Sequence, residues 1–139
     1  MKIGIIKEGK AVPDKRVVLT PDQCKFIQEK YSSIQVFVQS SHDRCFSDQE
    51  YLDQGISVID SIAHCDVILG VKEVPVDWLI PEKIFMFFSH TIKKQEYNRS
   101  LLQEILKKNI QLIDYECIVD ENNKRLIGFG RFAGIVGTY

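Results

Sequence analysis

Apolar residues along this chain come in short blocks separated by amphipathic stretches, the pattern of strands and helices that share one core. Residues 2–6, Lys-Ile-Gly-Ile-Ile, predict a strand, and a polar loop rich in Lys and Asp follows. Thr20-Pro21-Asp22-Gln23 supplies an N-cap, a proline at the first helical position and a Gln placed to close a capping box. In the helix that follows, Cys24, Ile27 and Tyr31 fall on one face. Residues 34–38 predict the next strand. Ser47 and Glu50 form a second capping box over a short helix that Gly55 stops.

The run 67–71, Val-Ile-Leu-Gly-Val, has the character of a parallel strand covered on both faces, and 84–88 repeats it. Pro75 and Pro81 keep the backbone between them irregular. Tyr97, Leu101, Leu102, Ile105 and Leu106 recur at helical spacing, predicting a helix over 94–108 that Asn109 ends. Residues 110–113 predict a further strong strand, and 120–124, with a double Asn, a turn. In the last segment the small residues Gly130, Ala133, Gly134 and Gly137 predict a closely packed helix and suggest a domain cut from a longer polypeptide. The expectation is therefore an α/β fold, one domain over 1–139, with an open, mainly parallel sheet and helices on both faces.

Composition narrows the class. At 139 residues with 45% apolar and 27% charged, the chain can bury a core without staples and is neither disordered nor collagen-like. Eighteen Lys and Arg against nineteen Asp and Glu leave a net charge of -1, so no global field draws nucleic acid or anionic lipid. No apolar stretch approaches the roughly 20 residues of a membrane-crossing helix. Met1 runs straight into the first strand block, which argues against a signal peptide and for the cytoplasm; the mitochondrial matrix stays open if a presequence was removed. Cys24, Cys45, Cys65 and Cys117 show no C-x-x-C spacing, so reduced thiols and no metal site are expected.

Three places put ionisable residues where an apolar run meets a loop, and in open α/β sheets ligands bind beyond the carboxyl ends of strands. Arg16, ahead of a capped helix, can grip a carboxylate with two parallel hydrogen bonds; a solvated loop arginine reads the same way. Lys72 follows a buried-type strand, where partial desolvation suits proton transfer, with Glu73 beside it opposing that shift; a Lys-Glu pair on a solvated turn is the plain alternative. His90 closes the next strand and is a candidate general acid or base, or a hydrogen-bonded structural group. Since Lys72 and His90 end two consecutive strands of one expected parallel sheet, both can point into one crevice. His42 and His64 read as surface residues. No G-x-G-x-x-G, P-loop, G-x-S-x-G or H-E-x-x-H occurs, so a Rossmann-like or flavodoxin-like three-layer domain would lack its own dinucleotide fingerprint.

These residues carry a resemblance. Lys-Arg-Val-Val-Leu-Thr-Pro at 15–21, Gly-Val-Lys-Glu-Val-Pro at 70–75 and Phe-Ser-His-Thr-Ile-Lys at 88–93 resemble the N-terminal domain shared by alanine dehydrogenase, nicotinamide nucleotide transhydrogenase and the saccharopine dehydrogenases. Leu-Ile-Asp-Tyr-Glu at 112–116 and Gly-Phe-Gly-Arg-Phe-Ala-Gly at 128–134 are most similar to the lysine-forming saccharopine dehydrogenase and lysine-2-oxoglutarate reductase branch. The resemblance implies the substrate-side domain of a lysine-metabolism oxidoreductase that interconverts saccharopine with lysine and 2-oxoglutarate through an imine. NAD or NADP would be held mainly by a Rossmann domain of the same polypeptide, outside this chain, and the domain alone would be inactive. By the same resemblance Lys72 and His90 form the acid/base pair, Arg16 contacts a substrate carboxylate, Lys93 is a further cleft lysine for the substrate, and Glu73 and Glu116 tune the pair. Arg131 departs from the single-function fungal-type pattern, which has an aromatic residue there, and would add a second carboxylate clamp. An alanine dehydrogenase-like enzyme and a stand-alone binding domain are the competing expectations.

Overall fold

Parallel strands cannot be joined by tight turns, so each connection must climb back over the sheet. In the computed structural model, which describes residues 1–9, 12 and 14–128, the segments between strands do this. In chain order the elements are β1 (Lys2–Ile5), α1 (Pro21–Lys30), β2 (Gln35–Gln39), α2 (Asp48–Asp53), β3 (Ser57–Ile59), β4 (Val67–Leu69), β5 (Ile84–Phe87), α3 (Arg99–Lys107) and β6 (Gln111–Asp114). The strands form one sheet in the order β3-β2-β1-β4-β5-β6, every pairing parallel. The short edge strand β3 is the one the apolar pattern does not mark.

Alternation along the strands divides the core in two. Ile5, Val36 and Val38 pack with Cys24 of α1 and Tyr51 of α2 on one face, while Ile68, Phe85 and Phe87 pack with Leu101 and Ile105 of α3 on the other. Helices thus lie on both faces, as expected. Beyond α1, the first face forms an apolar groove of about 570 Å³ whose floor includes Val67, Leu69, Met86 and Ile113 and whose rim carries Phe88 and Tyr115.

Both helix starts follow the capping chemistry of the sequence. Thr20 accepts from the Gln23 N–H and the Gln23 side chain reaches back to Thr20, and Ser47 and Glu50 repeat the exchange. Gly55 turns the chain out of α2 at φ 73°, in the left-handed region. The helix expected over 94–108 is shorter. Lys94 sits at φ 53°, which no α-helix tolerates, so residues 91–98 form two 3₁₀ turns and α3 begins only at Arg99. Leu101 and Ile105 are buried, but Tyr97, Leu102 and Leu106 face solvent. The closely packed helix expected around Gly130 to Gly137 lies outside the described residues.

Candidate active site at the strand ends

The sheet order changes direction between β1 and β4, and at such a switch point the diverging crossovers leave a crevice at the carboxyl edge. Lys7 and Glu8 leave β1 there, Gly70 to Glu73 leave β4, Phe88 to His90 leave β5, and Tyr115 and Glu116 follow β6. Hydrogen bonding continues past the strands: the Phe88 N–H donates to the Val71 carbonyl at 3.1 Å, holding the segment before Lys72 against the segment before His90. The Lys72 ammonium lies 5.9 Å from the centre of the Phe88 ring, and the His90 imidazole stacks on that ring with centroids 6.4 Å apart. Lys72 and His90 therefore both lie beside the Phe88 ring.

His90 is the hub. Its Nδ1 lies 2.9 Å from Glu116 Oε2 and its Nε2 3.5 Å from Glu73 Oε1. Lys93 Nζ lies 3.1 Å from Nδ1 and 3.2 Å from Glu116 Oε1, and Arg125 Nη1 reaches Glu116 Oε1 at 3.2 Å. Burial raises the Glu116 pKa, but hydrogen bonds from His90 and Lys93 and their charges outweigh it, holding the carboxyl below its usual range. An ionised Glu116 only accepts and the Lys93 ammonium only donates, so the two compete for Nδ1. The shorter contact, to Glu116 at 2.9 Å against 3.1 Å, favours the proton on Nδ1, and Nε2 is the ring atom turned to Glu73.

Arg16 sits on the other side of the switch point. Its Nε donates to Asp14 Oδ1 at 2.7 Å and its Nη2 to Asp14 Oδ2, so the guanidinium is oriented by an acidic neighbour that any bound carboxylate must share. That hydrogen bond holds the Asp14 carboxyl below its usual range. The loop is anchored where Tyr51 donates its hydroxyl to the Leu19 carbonyl at 2.8 Å. Glu8 bridges the switch point: its two carboxylate oxygens accept from the Val71 and Lys72 backbone N–H groups at 2.8 and 2.9 Å. Burial pushes the Glu8 pKa up, and these two bonds only partly offset it. Gly9 lets this loop approach closely, since a Cβ there would lie 2.4 Å from Pro75 Cγ.

Of the residues singled out in the sequence, Lys72, Glu73, His90, Lys93 and Glu116 are gathered at the ends of β4, β5 and β6, and Arg16 lies beside Asp14 and Glu8 across the crevice. Arg131 lies outside the described residues. His42 and His64 are exposed, and all four cysteines are free thiols. Among the described residues no three His, Cys, Asp or Glu side chains could hold a metal ion together, and no helix is long and apolar enough to cross a membrane. Glu8, Asp14, Ser89, Asp114 and Arg125 escaped the sequence reading. Glu8 and Asp114 were findable, because they close β1 and β6 just as Lys72 and His90 follow β4 and β5.

Residues 4–136 match the family described as alanine dehydrogenase/PNT, N-terminal domain. The chain belongs to this family. Among its relatives, the alpha-aminoadipic semialdehyde synthase of Arabidopsis thaliana is 36% identical over 139 residues, which cover 97% of this chain and 13% of that protein. The lysine-forming, NAD(+) saccharopine dehydrogenase of Yarrowia lipolytica is 30% identical over 143 residues, covering 99% of this chain and 38% of that protein. The solved structure of an L-alanine dehydrogenase shares the fold with a TM-score of 0.71 at 21% identity, over 89% of this chain and 35% of the other. The chain thus spans little more than a third of the length of these relatives, or less. Two of the three are named as dehydrogenases, and the saccharopine dehydrogenase is named for NAD(+).

The described residues do not fit a dinucleotide. After β1 ends at Ile5 the next helix begins only at Pro21, where a glycine turn straight onto a helix N-terminus would be needed, and the Glu8 and Asp14 carboxylates beside the switch point would repel a pyrophosphate.

Proposed function

We propose that this chain is the substrate-side domain of an oxidoreductase that interconverts saccharopine with lysine and 2-oxoglutarate through an imine. A second domain of the same polypeptide holds the NAD or NADP. The observation that carries the reading is the imidazole of His90, held by an ionised carboxylate at Nδ1 and turned at Nε2 toward a second carboxylate, with the Lys72 ammonium beside the same Phe88 ring. Imine formation and hydrolysis move protons on and off nitrogen and oxygen, and two groups of different basicity in one partly dry crevice suit that work.

In this reading His90 Nε2 and Lys72 exchange protons with the substrate nitrogen and the carbinol oxygen. Glu116 fixes the tautomer of His90, and Glu73 stabilises the imidazolium when Nε2 is protonated. Arg16 and Lys93 meet substrate carboxylates, of which saccharopine has three, with Arg131 as a further clamp. The relatives' printed names support this substrate class over a single-carboxylate amino acid. Alone, the domain does not turn over. The reading places the protein in a reducing compartment, the cytoplasm or the mitochondrial matrix, where its thiols stay reduced.

The test is an assay of the full-length polypeptide with lysine, 2-oxoglutarate and each reduced nicotinamide. Consumption of the nicotinamide only when both substrates are present supports the reading; turnover with pyruvate and ammonia instead would overturn it in favour of alanine dehydrogenase-like chemistry.

A further inference from the structure

Among the described residues four polar or charged side chains are buried, Ser89, Asn98, Asp114 and Glu116; two of them, Asn98 and Glu116, bond His90, and the other two bond its chain neighbours and ring partner. Glu116 holds its ring. Asn98 occupies the N-cap position of α3 yet makes no capping bond; its amide donates instead to the His90 carbonyl at 3.3 Å. Ser89 is completely buried and uses its whole capacity. It donates to Asp114 Oδ2, and its oxygen accepts from the Thr91 N–H at 3.2 Å and lies 2.8 Å from Thr91 Oγ1. Asp114 then spends its other oxygen on the Glu116 N–H at 2.9 Å.

One carboxylate, set opposite Phe87 at the last rung of the β5–β6 ladder, thus grips the residue before His90 and the backbone of its ring partner. His90 itself has φ 56°, a left-handed conformation that costs a non-glycine residue energy and persists only where its surroundings hold it. A buried charge and a strained backbone beside each other are poor devices for stability alone.

We propose that Ser89, Asp114 and Asn98 are positioning residues that lock the left-handed backbone of His90 so that its Nδ1–H points to Glu116 and Nε2 faces the substrate crevice. The relevance of this brace to catalysis rests on the function proposed above; its effect on the imidazole does not.

The experiment uses the full-length polypeptide with ¹⁵N-labelled histidine and the variants Ser89→Ala, Asp114→Asn and Asn98→Ala. Ring-nitrogen NMR reads the tautomer, with His42 and His64 as internal controls. In the parent protein neutral His90 should be protonated at Nδ1. In Ser89→Ala and Asp114→Asn that preference should decay toward a mixture, with His42 and His64 unchanged, and kcat should fall about tenfold with KM held within about threefold. If Asp114→Asn does not fold, Ser89→Ala and Asn98→Ala, which leave the Asp114 side chain in place, carry the test. A lowered melting temperature with an unmoved His90 tautomer and unmoved kcat would reduce the brace to ordinary core and overturn the proposal. A moved tautomer in a polypeptide that never turns over lysine and 2-oxoglutarate would uphold the brace and reject the function.

Discussion

A histidine between two carboxylates can act as structure or as chemistry, and only substitution separates the two. His90→Ala and Lys72→Met should each lower turnover of the full-length polypeptide by about 10² or more, since each removes a proton carrier; steady-state kinetics with unchanged kcat for both would remove them from the reaction. Arg16→Ala should raise KM for the carboxylate substrate more than it lowers kcat. Asp14→Asn should do the same to a smaller degree, because the guanidinium keeps its charge and one acceptor but loses the two-point grip of the carboxylate at its Nε and Nη2. A clamp role is rejected if Arg16→Ala lowers kcat and spares KM. Glu8→Ala strands the Val71 and Lys72 N–H groups, a cost of about 1–3 kcal/mol in urea unfolding. At this scale the sequence marked Lys72 and His90 by their place after apolar runs. It could not mark Asn98, whose side chain looks like a helix cap and is spent on a carbonyl eight residues away.

Elements whose signals are local formed as read. The Thr20/Gln23 and Ser47/Glu50 boxes need only residues three apart, so neighbouring chemistry suffices to start α1 and α2. Thr20→Ala should cost about 1 kcal/mol of stability, read as a shift in the denaturant midpoint without a change in slope. The helix before β6 shows where local reading fails. Its apolar spacing extends back to Tyr97, but the turn after His90 needs Lys94 in the left-handed region, and the start of α3 moved accordingly to Arg99. β3 was missed for a related reason: three residues at a sheet edge carry too little periodicity to register, and only pairing with β2 makes them a strand.

Over the whole molecule, acid stability follows from the carboxylates. Asp14, Asp48 and Glu116 all titrate below their usual range in the fold. A carboxyl whose folded pKa is depressed stabilises the fold above its unfolded pKa and loses that contribution as pH falls through the folded value. Unfolding midpoints should therefore drop as pH is lowered from about 5 to about 3, and Glu116→Gln should flatten part of the drop. Glu8, pushed the other way by burial, opposes the trend, since its protonated form is the one the fold favours. A midpoint that rises over that range would contradict the assignment. What the chain's order of residues determined alone was the α/β class, the strand blocks and the capped helix starts, because those rest on spacing and on bonds between near neighbours. The residues' motifs also marked the family that the comparisons later showed. Tertiary structure decided which strand ends meet. The order β3-β2-β1-β4-β5-β6 brings Glu8 to Lys72 and Glu116 to His90 across 64 and 26 residues of sequence, and separations of that kind are set by the packing of a sheet, which no local pattern encodes.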